Sequence, residues 1–220
     1  MNAPAQACVE PRRSVPLRRD QFLAQRLPIH IFLTILWTLA LSGQSGRVFV
    51  VTVDGAINPA SADYLHEELQ RASVAGAECL VVQLNTPGGL LVSTRSIVSD
   101  FLTSTIPVIV FVSPQGSQAA SAGVFVTLAA HLAVMAPGTN IGAAHPVSLG
   151  EQMDSVMASK VTNDAAAFIR TISEKRNRNI RWAEDAVRHS LSITETEAAA
   201  SYVTFDAITD RKSTRLNSSH

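Results

Sequence analysis

The chain has 220 residues, 46% hydrophobic and 16% charged, and its 18 Lys and Arg balance 18 Asp and Glu for a formal net charge of zero. That composition supplies a sizeable core for one domain or two and excludes a disordered chain. There is no basic excess of the kind that marks a nucleic-acid binder, Cys8 and Cys79 stand far apart, and no histidine pair has zinc-ligand spacing, so neither a disulfide framework nor a metal motif is expected.

In chain order, residues 1–46 read as a targeting segment. Arg12, Arg13, Arg18, Arg19 and Arg26 form a positive region, and Leu27 to Leu41 is an apolar run broken only by Pro28, His30 and Thr34. Small residues follow at Ser42, Gly43, Ser45 and Gly46. This is the order of a secretory signal peptide, with cleavage expected between Ser42 and Gly46. The run is shorter than the ~20 residues of a membrane span, so an uncleaved anchor is the alternative. Either way the following domain is expected outside the cytoplasmic membrane. Met1 to Gln25 is long for a leader, which leaves a later start as a second alternative.

Val48 to Val53 is a β-branched, buried-strand pattern ended by Asp54-Gly55. Asn58-Pro59 reads as an N-cap with proline at the first helical position, opening a helix to about Ala75 with Leu65, Leu69 and Ala72 inward. Cys79 to Leu84 is a second strand, Asn85 to Gly89 a tight turn, and Leu90 to Ser104 a second helix. Pro107 to Val112 is a third strand, followed by a polar turn, the segment Gln118-Ala119-Ala120-Ser121-Ala122-Gly123 at a helix start, and a fourth strand at Leu132 to Ala136. Gly138 to Gly150 reads as loop. Asp154 to Lys175 reads as a helix with Val156, Ala166, Phe168, Ile169 and Ile172 inward, and Arg181 to Ser190 as a short helix. Thr194 and Glu197 form a capping-box pattern, and Val203 to Ile208 a last strand. Strands alternating with helices, and running as continuous apolar stretches, predict a mostly parallel α/β sheet covered on both faces. Asp210 to His220 reverse-translates in frame to a widely used sequencing-library adapter. Residues 210–220 are therefore expected to be an artefact that replaces natural sequence, leaving 47–209 as the folded domain.

Three features offer chemistry. Ser121 stands among small residues at a helix start, where free N–H groups and the positive dipole end favour a developing anion. Tight helix packing would use the same residues. Gly88-Gly89 follows a strand end, where open α/β sheets bind ligands, and unobstructed glycine N–H groups suit an oxyanion hole; a simple β–α turn uses glycine pairs too. The third feature is a base. Lys160 can take a serine proton only where burial keeps a lysine neutral, whereas most helical lysines are solvated. His145 needs less tuning and would form a triad with a carboxylate such as Asp164 or Asp185, unless it is a loop residue bonded to backbone.

Asn85-Thr86-Pro87-Gly88-Gly89, Ala119-Ala120-Ser121-Ala122-Gly123, Met135 to Ala143, and Lys160-Val161-Thr162-Asn163, in that order, closely resemble the protease domain of the NfeD (nodulation formation efficiency D) family. These are membrane-bound serine proteases of the ClpP class, and the resemblance covers about Val48 to Ile208. It implies a ClpP/crotonase-type fold and a Ser–Lys dyad without a cofactor: Ser121 as nucleophile, Lys160 as general base, and Gly89 and Ala122 N–H groups as the oxyanion hole, with Gly88 in the same turn. His145 sits where cytosolic ClpP peptidases keep their histidine and is the alternative base. Hydrophobic segments of membrane proteins, including the tail of a stomatin-like membrane protein, are the implied substrates, and self-association into a homodimer or larger is implied as well. The long family form adds membrane helices and an OB-fold domain after the protease, which agrees with truncation at the adapter. SppA-type signal peptide peptidases are similar and use the same dyad. A non-catalytic scaffold that binds a stomatin-like protein is the rival expectation. A crotonase-like acyl-CoA enzyme fits the fold but not the signal segment, since CoA substrates are cytosolic.

Overall fold

The structure, a computed structural model, describes residues 46–147, 154–201 and 203. The targeting segment up to Ser45, the last strand expected after Val203, and the adapter-like tail lie outside the described residues.

Four strands, β1 (Val48–Asp54), β2 (Cys79–Asn85), β3 (Val108–Val112) and β5 (Leu132–Met135), form one parallel sheet in the order β1-β2-β3-β5. Their links are α1 (Pro59–Val74), α2 (Leu91–Thr103), and β4 (Gln118–Ala120) with α3 (Ala122–Ala129). Each strand adds on the same side of its predecessor, and right-handed crossovers then deposit all three helices on one face. That face is the core: Val51, Val53, Leu80, Val82, Leu84, Val108, Val110 and Val112 are buried there against Leu65, Ile97 and Phe101. On the opposite face Val50 is 58% exposed, and Cys79, Val81, Ile109 and Phe111 are half-buried. Among the described residues, cover on this face is therefore partial, where the sequence led us to expect both faces covered. Two-sided cover needs a reversal of strand order, as in doubly wound sheets, and this sheet runs in sequence.

A second sheet was not expected. β4 pairs in parallel with β6 (Asn140–Gly142), which pairs antiparallel with β7 (Ser192–Thr194). A bridge between Thr86 and Ala119 ties it to the end of β2. Gln118–Ala120, read as part of a helix start, is thus strand, and the Gly138 loop contains one. Strands of three residues are too short to show a period.

Capping reads as the sequence implied. At α1, Asn58 Oδ1 accepts from Ser61 N–H at 3.0 Å and Asn58 N–H donates to Ser61 Oγ at 2.9 Å, with Pro59 at the first helical position. At α6 (Glu195–Ala200), Thr194 and Glu197 form the capping box. α4 (Ser155–Lys175) and α5 (Ile180–Arg188) pack on each other, and α4 also packs on α3. Ala166, Ile169 and Ile172 are buried as expected, but Phe168 is half-buried and Val156 is 62% exposed. No helix among the described residues is long and apolar enough to cross a membrane.

One contact carries a pH dependence. The backbone N–H of Val108, where β3 starts, donates to His131 Nδ1 at 3.1 Å, and a protonated ring would present a hydrogen there instead. Burial and the nearby Arg176 charge lower the His131 pKa below its ordinary 6.5. The unfolded chain therefore binds a proton before the folded chain does. Stability from this site is complete above the ordinary value and is lost as pH falls towards the folded one. The expected result is a melting temperature that declines from about pH 7 to pH 5, with His131→Asn, which keeps an acceptor, flattening that part of the curve. Equal slopes for wild type and variant would remove His131 as the cause.

Candidate active site

The turn after β2 is pinned by Thr86. Its buried hydroxyl donates to Gly88 O at 3.0 Å and accepts from Gly88 N–H at 3.1 Å. Gly88 and Gly89 follow at φ +127° and +159°, and space as well as conformation demands glycine at both. A Cβ on Gly89 would lie 2.0 Å from Ile57 O, and one on Gly88 would lie 2.7 Å from Ser121 Cβ. Ile57 N–H donates to Gly88 O at 2.8 Å and Leu90 N–H donates to Ile57 O at 2.9 Å. In such a parallel bridge the intervening Gly89 points its own N–H away from Ile57, and that N–H has no partner among the described residues. Gly88, expected in the oxyanion hole, has its N–H engaged by Thr86; it supplies shape beside Ser121, and Gly89 supplies the open donor.

Ser121 stands where β4 turns into α3. Its φ of +51° and ψ of −112° lie in a region that L-residues rarely adopt, the strained strand-to-helix geometry of exposed nucleophiles. The turn is held by Ser121 N–H donating to Gly142 O and Val124 N–H donating to Ser121 O, each at 3.0 Å. The hydroxyl caps nothing and makes no hydrogen bond among the described residues. Ala122, at the first helical position, has an N–H with no helical acceptor. The small residues also serve packing: a Cβ on Gly123 would lie 2.7 Å from Thr86 Cγ2. The packing reading of this segment therefore holds, and it leaves the Ser121 hydroxyl available. α3 is buried along its whole length. At its far end Arg176 Nε donates to Ala129 O at 2.8 Å and Arg178 Nη2 donates to Ala130 O at 3.1 Å. These cations complement the negative dipole end. Burial, then the neighbouring Arg176 charge, pulls Arg178 down to about 10.

Ser121, Gly88, Gly89 and Ala122 open onto one cleft of about 640 Å³. Its walls are largely apolar and include Ile57, Leu91, Phe125, Pro146, Val161 and Ala165. A hydrophobic chain segment suits such walls better than a charged one.

The two candidate bases are placed less closely. Lys160 is exposed, makes no hydrogen bond or ion pair among the described residues, and precedes Val161, which lines the cleft. His145 is half-buried, and its Nδ1 lies 2.9 Å from Val187 O. A carbonyl only accepts, so Nδ1 carries the hydrogen and Nε2 is the free acceptor. Val187 O takes the place a triad carboxylate would fill at Nδ1, and neither Asp164, which pairs with Arg95 at 2.6 Å, nor Asp185 bonds His145 among the described residues. Among the described residues no cluster of three or more His, Cys, Asp or Glu side chains could hold a metal ion. Thr86, Phe125 and Ala165 escaped the sequence reading; only Thr86, a hydroxyl just before a glycine turn, left a usable signal there.

Residues 47–217 match the family model described as NfeD1b, N-terminal domain. The chain is similar to the membrane-bound protease PH1510 of Pyrococcus horikoshii, with 37% identity over 153 residues, which is 69% of this chain and 35% of that protein. It thus spans about a third of that relative's length. Two solved structures share the fold. A serine-to-alanine mutant of the 1510-N membrane-bound stomatin-specific protease has a TM-score of 0.71 and 33% identity, covering 77% of this chain and 84% of that one. A lysine-to-alanine mutant of the same protease, in complex with a substrate peptide, has a TM-score of 0.71 and 32% identity, covering 78% and 80%.

Proposed function

The chain belongs to the NfeD1b family through its N-terminal domain, and from that premise we propose that it is a membrane-associated serine endopeptidase with a Ser–Lys dyad that cleaves hydrophobic segments of membrane proteins. The observation that carries this reading is Ser121, strained at the start of α3 with a hydroxyl that makes no hydrogen bond among the described residues, and with the open N–H groups of Gly89 and Ala122 on the same cleft. Ser121 Oγ attacks the peptide carbonyl, those two N–H groups hold the oxyanion, and Lys160 accepts the hydroxyl proton and returns it to the leaving amine. Water then hydrolyses the acyl-enzyme. A lysine acts as a base only when neutral, and a peptide seated along Val161 supplies the missing cover over Lys160. The apolar walls favour an aliphatic segment, and a stomatin-like membrane protein is the proposed partner, by likeness to the stomatin-specific protease. On this reading residues 1–46 act as the targeting segment, the domain works on the extracytoplasmic side, and a homodimer or larger is its proposed assembly.

The test compares turnover of an internally quenched peptide with an aliphatic centre by the wild type, Lys160→Ala and His145→Ala. The expected result is a loss of about 10²–10⁴-fold for Lys160→Ala, the usual contribution of a general base, and near-wild-type turnover for His145→Ala. The reverse pattern assigns the base to His145. One observation favours a second reading: Lys160 is exposed and makes no hydrogen bond or ion pair among the described residues, which suits a non-catalytic scaffold that binds a stomatin-like protein. On that reading wild type and Ser121→Ala bind the peptide equally and neither cleaves it.

A further inference from the structure

α4 carries the proposed base on a poorly supported stretch. From Asp154 to Asp164 none of its residues is buried, and the first buried residue is Ala165. An isolated helix of this length is marginal in water, so its position depends on what it touches. On the side of α5, Arg188 Nη1 donates to Asn163 Oδ1 at 2.8 Å. On the side of α2 the contact is made by Arg95. Its Nη2 donates to Asp164 Oδ2 at 2.6 Å, and its guanidinium lies 4.1 Å from the ring centroid of Phe168. Phe168 stacks in turn on Phe125 of α3, with centroids 5.6 Å apart and planes at 20°. Lys160, Asp164 and Phe168 follow one another at i, i+4 and i+8, along one row of α4. Phe125 is one turn on from Ser121.

The geometry assigns Arg95 as a positioning residue: it ties the α4 row that carries Lys160 to the first turn of the Ser121 helix, and so sets the distance across the cleft between nucleophile and base. This inference rests on the Ser–Lys reading. A planar guanidinium suits the task because it gives Asp164 a directed hydrogen bond while its face lies on Phe168; a lysine keeps the charge and loses the stack. The ion pair is partly exposed, with side-chain exposures of 39% for Arg95 and 67% for Asp164, so its removal leaves the fold standing. Misplacement of a catalytic group is felt far more strongly than the stability of such a pair.

The experiment uses the full chain and follows the rate at which a fluorophosphonate labels Ser121, which stays measurable over hours in slow variants. Arg95→Gln is expected to slow labelling on the order of tenfold, Asp164→Asn to slow it similarly, and Arg95→Lys to fall between Arg95→Gln and wild type. In the Lys160→Ala background Arg95→Gln should have almost no further effect, because Arg95 acts through Lys160. Losses that multiply in the double variant, or an Arg95→Gln rate equal to wild type, would overturn the assignment. Lys160→Ala alone reports separately on the dyad: if it labels at the wild-type rate the dyad reading fails, whatever Arg95 does. Circular dichroism and melting temperature close to wild type exclude loss of fold as the cause.

Discussion

Replacing Ser121 by alanine is expected to end peptide hydrolysis and leave the fold intact. The hydroxyl makes no hydrogen bond among the described residues, so nothing structural depends on it. The backbone bonds that shape the turn, from Ser121 N–H to Gly142 O and from Val124 N–H to Ser121 O, survive the substitution. Alanine inherits the same φ of +51° and the same strain. Loss of a nucleophile leaves only what binding and the oxyanion donors supply, so turnover should fall by at least about 10³-fold. The measurement is fluorescence release from the quenched aliphatic peptide, with circular dichroism and melting temperature alongside. A well-folded Ser121→Ala protein that keeps wild-type turnover would place the chemistry elsewhere in the cleft.

Gly89→Ala should do more damage, to the fold and the site together. The added Cβ would lie 2.0 Å from Ile57 O and 2.6 Å from Ile57 N, both backbone atoms. They cannot retreat without breaking the Ile57 N–H to Gly88 O and Leu90 N–H to Ile57 O bonds, at 2.8 and 2.9 Å. The φ of +159° adds strain to the clash. The combination belongs with substitutions that remove about 4 kcal/mol or more, a large part of a domain's stability. Gly55→Ala is the control, since Gly55 has φ +129° but nothing within 4 Å of a built Cβ. Its loss should stay within the roughly 1–3 kcal/mol of backbone strain. Urea denaturation of the two variants separates crowding from conformation. Equal losses would mean that the contact with Ile57 yields easily and does not hold the Gly88-Gly89 turn in place.

Much of the framework was legible because it is local. β1, β2, β3 and β5 are runs of apolar and β-branched residues, and α1 announces itself through Asn58 and Pro59. The chemistry-bearing turn was legible too, as glycines after a strand end and a serine at a helix start. β4, β6 and β7 were not, since three residues cannot display alternation and their partners lie 22 to 54 positions away, as in Gln118 with Asn140 and Asn140 with Thr194. Cover on both sheet faces was read from strand composition, which does not report strand order.

Sequence alone determined which residues could be nucleophile, oxyanion donor and base, because chemical type and helix or strand ends are written locally. Only the tertiary structure decided which of them are available. Thr86 occupies the Gly88 N–H and leaves Gly89 open. Val187 holds His145 by one ring nitrogen. Lys160 stands exposed beside Val161, on a helix tied by an Arg95–Asp164 contact that spans 69 residues of sequence. Availability depends on who lies within hydrogen-bond reach, and in this fold those neighbours arrive from distant parts of the chain.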